Sequence, residues 1–166
     1  MSILNDNQIG QKLVRLAYEI IEQNTESKVI YLAGINNNGY RFAELLQEAL
    51  LGIELCPFQI KLIRVKLNPA KPVSEPIELD IEVKELRNKT IILVDDVANT
   101  GRTLFYAFRP FLNLLVKKMQ VAVLVDRKHK SFPVQVDYVG LSLATTIKDN
   151  IDVNLADKGK FNAELN

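Results

Sequence analysis

The sequence predicts an α/β domain with a mainly parallel central sheet flanked by helices. Three observations predict it. Short β-branched apolar runs, KVIYLA at 28–33, TIILVD at 90–95 and QVAVLV at 120–125, suit strands buried on both faces. Between them lie segments whose apolar residues recur at helical spacing. The chain, 166 residues long, has the size of one domain, taken here as 1–166. Strands alternating with helices imply βαβ units, right-handed crossovers and ligand sites where strands end and helices begin.

Asn5 or Asp6 caps a first helix that places Ile9, Leu13, Leu16, Ala17 and Ile20 on one face, opposite Lys12, Arg15, Glu19 and Glu22. The strand at 28–33 runs directly into a turn, Gly34 to Gly39, and a second helix follows from Tyr40 to Leu51 on Phe42, Leu45, Leu46, Ala49 and Leu50. From Phe58 to Leu67 the alternation Phe58, Ile60, Leu62 slips by one to Ile63, Val65, Leu67, which predicts a strand that twists or bulges between two environments. Pro69, Pro72 and Pro76 exclude 68–76 from a central sheet and mark an exposed, mobile loop. Ile77, Leu79, Ile81 and Val83 alternate with acidic residues as a strand with one wet face, and Asn88 and Lys89 turn the chain. After the strand at 90–95 a helix starts near Arg102, with a kink or early end at Pro110. A short strand at 137–141 follows the one at 120–125, and beyond Ile147 the periodicity fades.

Composition removes several function classes. The 21 basic and 20 acidic residues leave a net charge of +1, which argues against a protein that wraps nucleic acid over its whole surface. Cys56 and His129 are each the only residue of their type, so an all-protein zinc site, a disulfide framework and a Cys-His catalytic pair lack support. With no charged leader before an apolar block and no apolar stretch of ~18 residues, the sequence predicts a reduced, cytoplasmic protein without a membrane partner.

The densest chemical signal is IILVDDVANTGRT at 91–103. Its apolar run anchors a strand whose carboxyl end presents Asp95 and Asp96 together in the ligand crevice of an open sheet. Adjacent carboxylates repel, and they are tolerable where hydroxyls donate to them or a cation faces them, so a ribose diol or a Mg²⁺ complex fits. Asn99-Thr-Gly-Arg-Thr103 then offers backbone N–H groups and hydroxyls at a helix N-terminus, an anion cradle. A diol reader beside a phosphate cradle predicts a sugar 5-phosphate; the plain alternative is a capped helix after two solvated aspartates. Gly34 to Gly39 has the glycine spacing of a nucleotide-binding P-loop, but Tyr40 and Arg41 stand where Lys and Ser/Thr would be needed.

VDDVANTGRT at 94–103 resembles the phosphoribosyl-pyrophosphate motif of the type I phosphoribosyltransferases. VLVDRKHK at 123–130, Pro133, VDYVG at 136–140 and IKLIR at 60–64 resemble the pyrimidine-operon attenuator and uracil phosphoribosyltransferase branch, and the likeness spans most of 28–146. The resemblance implies a parallel-sheet core with a small hood and a flexible catalytic loop, Mg²⁺ as cofactor, and a homodimer or higher homo-oligomer. It places Asp95 and Asp96 on the ribose hydroxyls, directly or through the metal. It places Ala98, Asn99, Thr100, Gly101, Arg102 and Thr103 on the 5-phosphate, Gly34 to Gly39 with Asn36, Asn37, Asn38 and Gly39 on the pyrophosphate, and 68–76 as the closing loop. Asp126 to Pro133 is assigned to the hood, with Arg127 near the base. The partners implied are phosphoribosyl pyrophosphate and a nucleobase, uracil before purines.

This chain departs from the branch in two places. Asn36, Asn37 and Asn38 stand where Lys, Thr and Arg are usual, and Val65 and Lys66 replace an acidic pair after Arg64. Negative charge builds on departing pyrophosphate, so cations are needed there. Arg64, Lys66, Arg41 and Lys71 are candidates to supply them, Lys71 through closure of its loop. A different class of function is a nucleotide-sensing regulator of pyrimidine genes that binds RNA on a dimer surface with little catalysis. Arg127, Lys128, His129 and Lys130 form the one compact basic cluster, readable as base recognition, dimer surface or solvated turn. Phe132 and Tyr138 are open to base stacking or to packing, and Cys56 reads as a small buried apolar residue.

Overall fold

The computed structural model describes residues 1–144, 146 and 148–166. Thr145, near the end of the stretch that carries the family likeness, and Ile147 lie outside the described residues. The elements in chain order are β1 (Ser2–Leu4), α1 (Asp6–Glu22), β2 (Val29–Ile35), α2 (Asn36–Leu51), β3 (Gln59–Lys66), β4 (Glu78–Leu79), β5 (Thr90–Ala98), α3 (Arg102–Ala107), β6 (Lys118–Arg127), β7 (Tyr138–Leu143), β8 (Ile151–Asn154) and β9 (Asn162–Leu165). The main sheet has the order β4-β3-β2-β5-β6-β7. All its neighbours pair in parallel except β4, an antiparallel edge. A second, antiparallel sheet has the order β1-β9-β8.

Full burial of the central strands follows from two apolar layers. Ile30 and Leu32 of β2 and Ile92 and Val94 of β5 join the core beneath α1 and α2, while Tyr31, Ala33, Ile91 and Leu93 join the core beneath α3. This is the period-2 alternation of a strand read on both faces. α1 begins on the reciprocal cap in which Asn5 and Gln8 each accept from the other's backbone N–H.

Three expectations are corrected. β3 pairs with β2 in unbroken register from Gln59 to Val65, with no bulge. Its slipped pattern arises because Ile60 and Leu62 pack toward α2 while Ile63, Val65 and Leu67 pack on the opposite core. The strand expected at 77–83 shrinks to β4 followed by a 3-10 turn at Val83–Leu86, because β4 has a partner only along Val65 and Lys66. The turn expected at 34–39 is far shorter, since α2 begins at Asn36. Pro110 does end its helix: α3 stops at Ala107 and a 3-10 turn takes over at Arg109–Phe111.

The hood is the small sheet, built from both ends of the chain. Ile151, Leu155, Phe161 and Ala163 belong to the same core as α1 and α2. The Arg41 Nε–H donates to the Leu155 carbonyl at 2.9 Å, and Lys158 pairs with Glu48 at 2.6 Å, so the hood is fastened along α2. Asp126 and Arg127, assigned to the hood from the sequence, instead end β6. No helix among the described residues is long and apolar enough to cross a membrane.

Candidate functional site

The chain leaves β2 for β3 on one side, and from β5 it proceeds to β6 and β7 on the other, so the sheet reverses direction between β2 and β5. Pairing of β2 with β5 stops at Gly34 and Val94. Beyond that point the two strand ends diverge, and the crevice they leave is where open α/β sheets hold ligands. A cleft of ≈ 420 Å³ occupies it, lined by Asn36, Asn37 and Asn38, by Asp95, Asp96, Asn99 and Thr103, by Pro69 from the proline-rich loop and by Ile151 from the hood.

Asp95 is the more buried member of the acidic pair, 9% exposed. Its Oδ1 accepts from the Asp96 backbone N–H at 2.9 Å, and Asp96 Oδ1 accepts from the Val97 N–H at 2.9 Å. Burial first, and the neighbouring Asp96 carboxylate second, push the Asp95 carboxyl well above the ordinary aspartate range. A hydroxyl donor or a cation arriving at the pair offsets both causes.

Gly101 turns the loop after β5 at φ 85°, a conformation that costs a glycine little. The Thr100 hydroxyl accepts from the Arg102 N–H at 3.3 Å, and the Thr100 carbonyl accepts from the N–H groups of Ser131 and Phe132 at 2.9 and 3.1 Å. The segment after β6 thus holds this loop in place. Asn99 Oδ1 accepts from Arg127 Nη1 at 3.2 Å, and Arg127 Nη2 donates to the Thr146 carbonyl at 2.7 Å.

Each asparagine at the start of α2 is bonded to a different wall of the cleft. Asn36, at φ 53°, accepts from the Leu67 N–H at 3.0 Å, where the proline-rich loop begins. Asn37 Oδ1 accepts from Arg64 Nη1 at 2.8 Å, and Asn38 Nδ2 donates to Asp96 Oδ2 at 3.3 Å. No side chain caps α2, so its first-turn N–H groups remain available to an anion. The two glycines of this stretch act as spacers. A Cβ on Gly34 would lie 2.3 Å from the Tyr40 Cα, and one on Gly39 would lie 2.6 Å from the Val94 carbonyl oxygen. Gly39 therefore sits beneath the cleft wall, pressed on β5.

The structure brings Asn36, Asn37, Asn38, Asp95, Asp96, Asn99 and Thr103 together on the cleft, whereas Thr100 and Arg127 line a neighbouring pocket with His129, Lys130 and Ser131. Ala98 is buried at the end of β5 and Arg102 is exposed at the start of α3. Lys66 and Lys71 are exposed, and neither lines the cleft. The loop around Lys71 is folded on itself: Asn68 bonds Ala70 N–H and Glu75, Pro72 is buried, and Arg109 Nη1 donates to the Val73 carbonyl at 3.3 Å. Arg41 faces the hood and Glu44. Lys130 pairs with Asp126 at 2.5 Å and also donates to the Arg127 carbonyl, so the basic cluster is partly neutralised. Tyr138 is fully buried and donates to Gln120 Oε1 at 2.7 Å, which excludes it from stacking on a ligand; Phe132 packs with Phe105 and Tyr106. Cys56 is half-buried, its thiol 3.6 Å from the Phe58 carbonyl. Sequence reasoning missed Ile151 and the contact of Tyr40, whose ring centre lies 4.1 Å from the Arg64 guanidinium. The alternation of Ile151 and Val153 with Asp152 and Asn154 was the one available sign of β8, and it is too short to distinguish a strand from a loop.

Comparison with known proteins agrees with this architecture. The sequence matches the phosphoribosyl transferase domain over residues 1–158. It is 32% identical to the bifunctional protein PyrR of Clostridium kluyveri, covering 97% of this chain and 93% of that protein. It is 38% identical to the protein of the same name from Clostridium acetobutylicum, over 92% and 89% of the two chains. Among solved structures, a hypoxanthine-guanine phosphoribosyltransferase from Bacillus anthracis superposes with a TM-score of 0.71 at 17% identity, covering 86% of this chain and 82% of that one. A hypoxanthine phosphoribosyltransferase from Staphylococcus aureus does so at 0.71 and 14%, covering 88% and 79%. With an acidic doublet, a glycine-turned loop and an uncapped helix meeting at the sheet's reversal point, and with these relatives spanning nearly its whole length, the chain belongs to the phosphoribosyl transferase domain family.

Proposed function

We propose that this protein transfers ribose 5-phosphate from phosphoribosyl pyrophosphate to a nucleobase nitrogen, releasing a nucleoside monophosphate and pyrophosphate, with uracil as the first base and purines second. One observation carries the reading: Asp95, Asp96, the loop at 99–103 and the start of α2 converge on a single cleft. The two carboxylates accept the ribose hydroxyls, and Asp95 gains most because a donor relieves its buried charge. The backbone N–H groups and hydroxyls of Asn99 to Thr103 hold the 5-phosphate, with Arg127 orienting Asn99 from behind. The uncapped first turn of α2 receives the pyrophosphate, and Arg64, bonded to Asn37 of that turn, provides a cation. Closure of 68–76, carrying Lys71, would exclude water.

The donor set also fits Mg²⁺ of the kind held jointly with a substrate. No three His, Cys, Asp or Glu side chains among the described residues converge to chelate an ion alone, whereas Mg²⁺ commonly takes one or two carboxylates and completes its shell with phosphate oxygens and water. Asp95 and Asp96 are the residues that would hold it, and it would neutralise charge on the leaving group. Assembly as a homodimer or larger homo-oligomer and a cytoplasmic location belong to the same proposal.

The test is release of pyrophosphate on adding phosphoribosyl pyrophosphate, Mg²⁺ and each base in turn. Turnover with one base, lost with a chelator and with Asp96→Asn, is the expected result. Donor binding without turnover on any base would favour a second reading, an RNA-binding regulator of pyrimidine genes. That reading draws on the uncharged Asn36–Asn38 stretch and on relatives named as bifunctional. Its own signature is RNA retention that weakens steeply with salt and responds to nucleotide.

A further inference from the structure

α2 opens with Asn36, Asn37 and Asn38 and brings no charge of its own to the cleft. A cation bonded to one of these asparagines arrives from the adjacent strand. Ile60, Leu62 and Arg64 alternate on the face of β3 that packs toward α2, so Arg64 continues an apolar row past the end of the core. Its backbone is fixed, since the Arg64 N–H donates to Asp80 Oδ1 at 2.8 Å. Its guanidinium is held by two neutral groups: the Asn37 Oδ1 at 2.8 Å and the Tyr40 ring, 4.1 Å from ring centre to guanidinium carbon. Among the described residues no carboxylate forms an ion pair with it.

Such an arrangement differs from a structural salt bridge. A guanidinium stacked on an aromatic face keeps its positive charge while losing rotamer freedom, so less entropy is lost when an anion binds. Tyr40 is itself fixed, because the Gly34 surface lies directly under its backbone and would admit no Cβ. We infer that Tyr40 is a positioning residue: its ring, with Asn37, presents the Arg64 guanidinium to the pyrophosphate end of the donor, supplying by stacking the cation that the asparagine turn lacks. This rests on the proposed donor-binding reading of the cleft and assigns to Tyr40 a part in selecting diphosphate over the bare sugar phosphate.

The test is calorimetric titration of the full chain, in Mg²⁺, with phosphoribosyl pyrophosphate, inorganic pyrophosphate and ribose 5-phosphate. Tyr40→Leu should weaken both diphosphate ligands by about 3- to 20-fold, the range of a cation–π contact, and leave ribose 5-phosphate within about twofold of the parent. Tyr40→Phe, which keeps the ring, should restore diphosphate binding, and Arg64→Ala should reproduce the selective loss if Tyr40→Leu does not fold. Equal diphosphate binding by parent and Tyr40→Leu, or an equal loss of all three ligands, would overturn the role of Tyr40 while the parent's binding upholds the cleft. A parent that binds none of the three would overturn both.

Discussion

Gly39 packs so closely on Val94 that a Cβ at this position would stand 2.6 Å from the Val94 carbonyl oxygen and 3.2 Å from Asp95 Oδ1. The contact sets the depth at which the first turn of α2 meets the end of β5. It thereby sets the separation of the asparagine turn from the acidic pair. Backbone on both sides leaves nothing flexible to yield.

Gly39→Ala is therefore expected to destabilise the fold by about 1–3 kcal/mol, the usual cost of overpacking a fixed site. Thermal unfolding would show a lowered Tm, each kcal/mol appearing as about 2–4 °C in a chain of this size. Donor affinity should fall with it, because α2 is lifted from Asp95. An unchanged Tm would mean that the helix shifts freely.

Asp95→Asn should raise stability while abolishing donor binding. The Asp95 carboxyl titrates above its ordinary value, so the native state binds its proton more tightly than the unfolded chain does. Below the unfolded value both states are protonated and the carboxylate costs nothing. As pH rises between the unfolded and native values the parent loses stability, and above the native value the loss is complete. The Tm advantage of Asp95→Asn should accordingly be absent in acid, grow through that interval and level off. A constant advantage at every pH would refute the linkage.

Phosphoribosyl pyrophosphate with Mg²⁺ should raise the Tm of the parent, by about 2.7 kcal/mol of added stability at a hundred times its Kd. Asp96→Asn or a chelator should remove most of that shift. A shift that survives both would place the donor elsewhere.

Tyr138→Phe tests a buried polar network far from the cleft. Burial pushes the Tyr138 hydroxyl up to about 12, so it stays protonated, donates to Gln120 Oε1 and accepts from Asn24 Nδ2 at 3.0 Å. Its loss should cost about 1–3 kcal/mol by removing the 2.7 Å donor to Gln120 Oε1 and one acceptor of the Asn24 amide, which keeps Ile20 and Gln120, with turnover unaffected. A drop in kcat would show that β7 communicates with the site.

Much of this protein was written locally. Each central strand announces itself because burial on both faces requires an unbroken apolar run, and the strand-loop-helix unit from Ile91 to Thr103 carries its acidic pair and its anion loop within one connection. Segments whose structure depends on partners were not legible in this way. β1, β8 and β9 become a hood only when residues from opposite ends of the chain pair, as in Ser2 with Glu164, and no local pattern encodes a partner that distant. The slipped alternation of β3 signals a strand shared by two environments, and the structure meets it in unbroken register, with one core on each face and no bulge. The sequence by itself determined the sheet, its helices and the identity of the acidic doublet, because periodicity and turn chemistry act over a few residues. Tertiary structure alone decided that Asn36, Asn37 and Asn38 reach three different walls, that Arg64 rests on Tyr40 and that Lys71 stands outside the cleft. Those outcomes depend on distances between segments, which are set by how the two apolar layers close on the sheet.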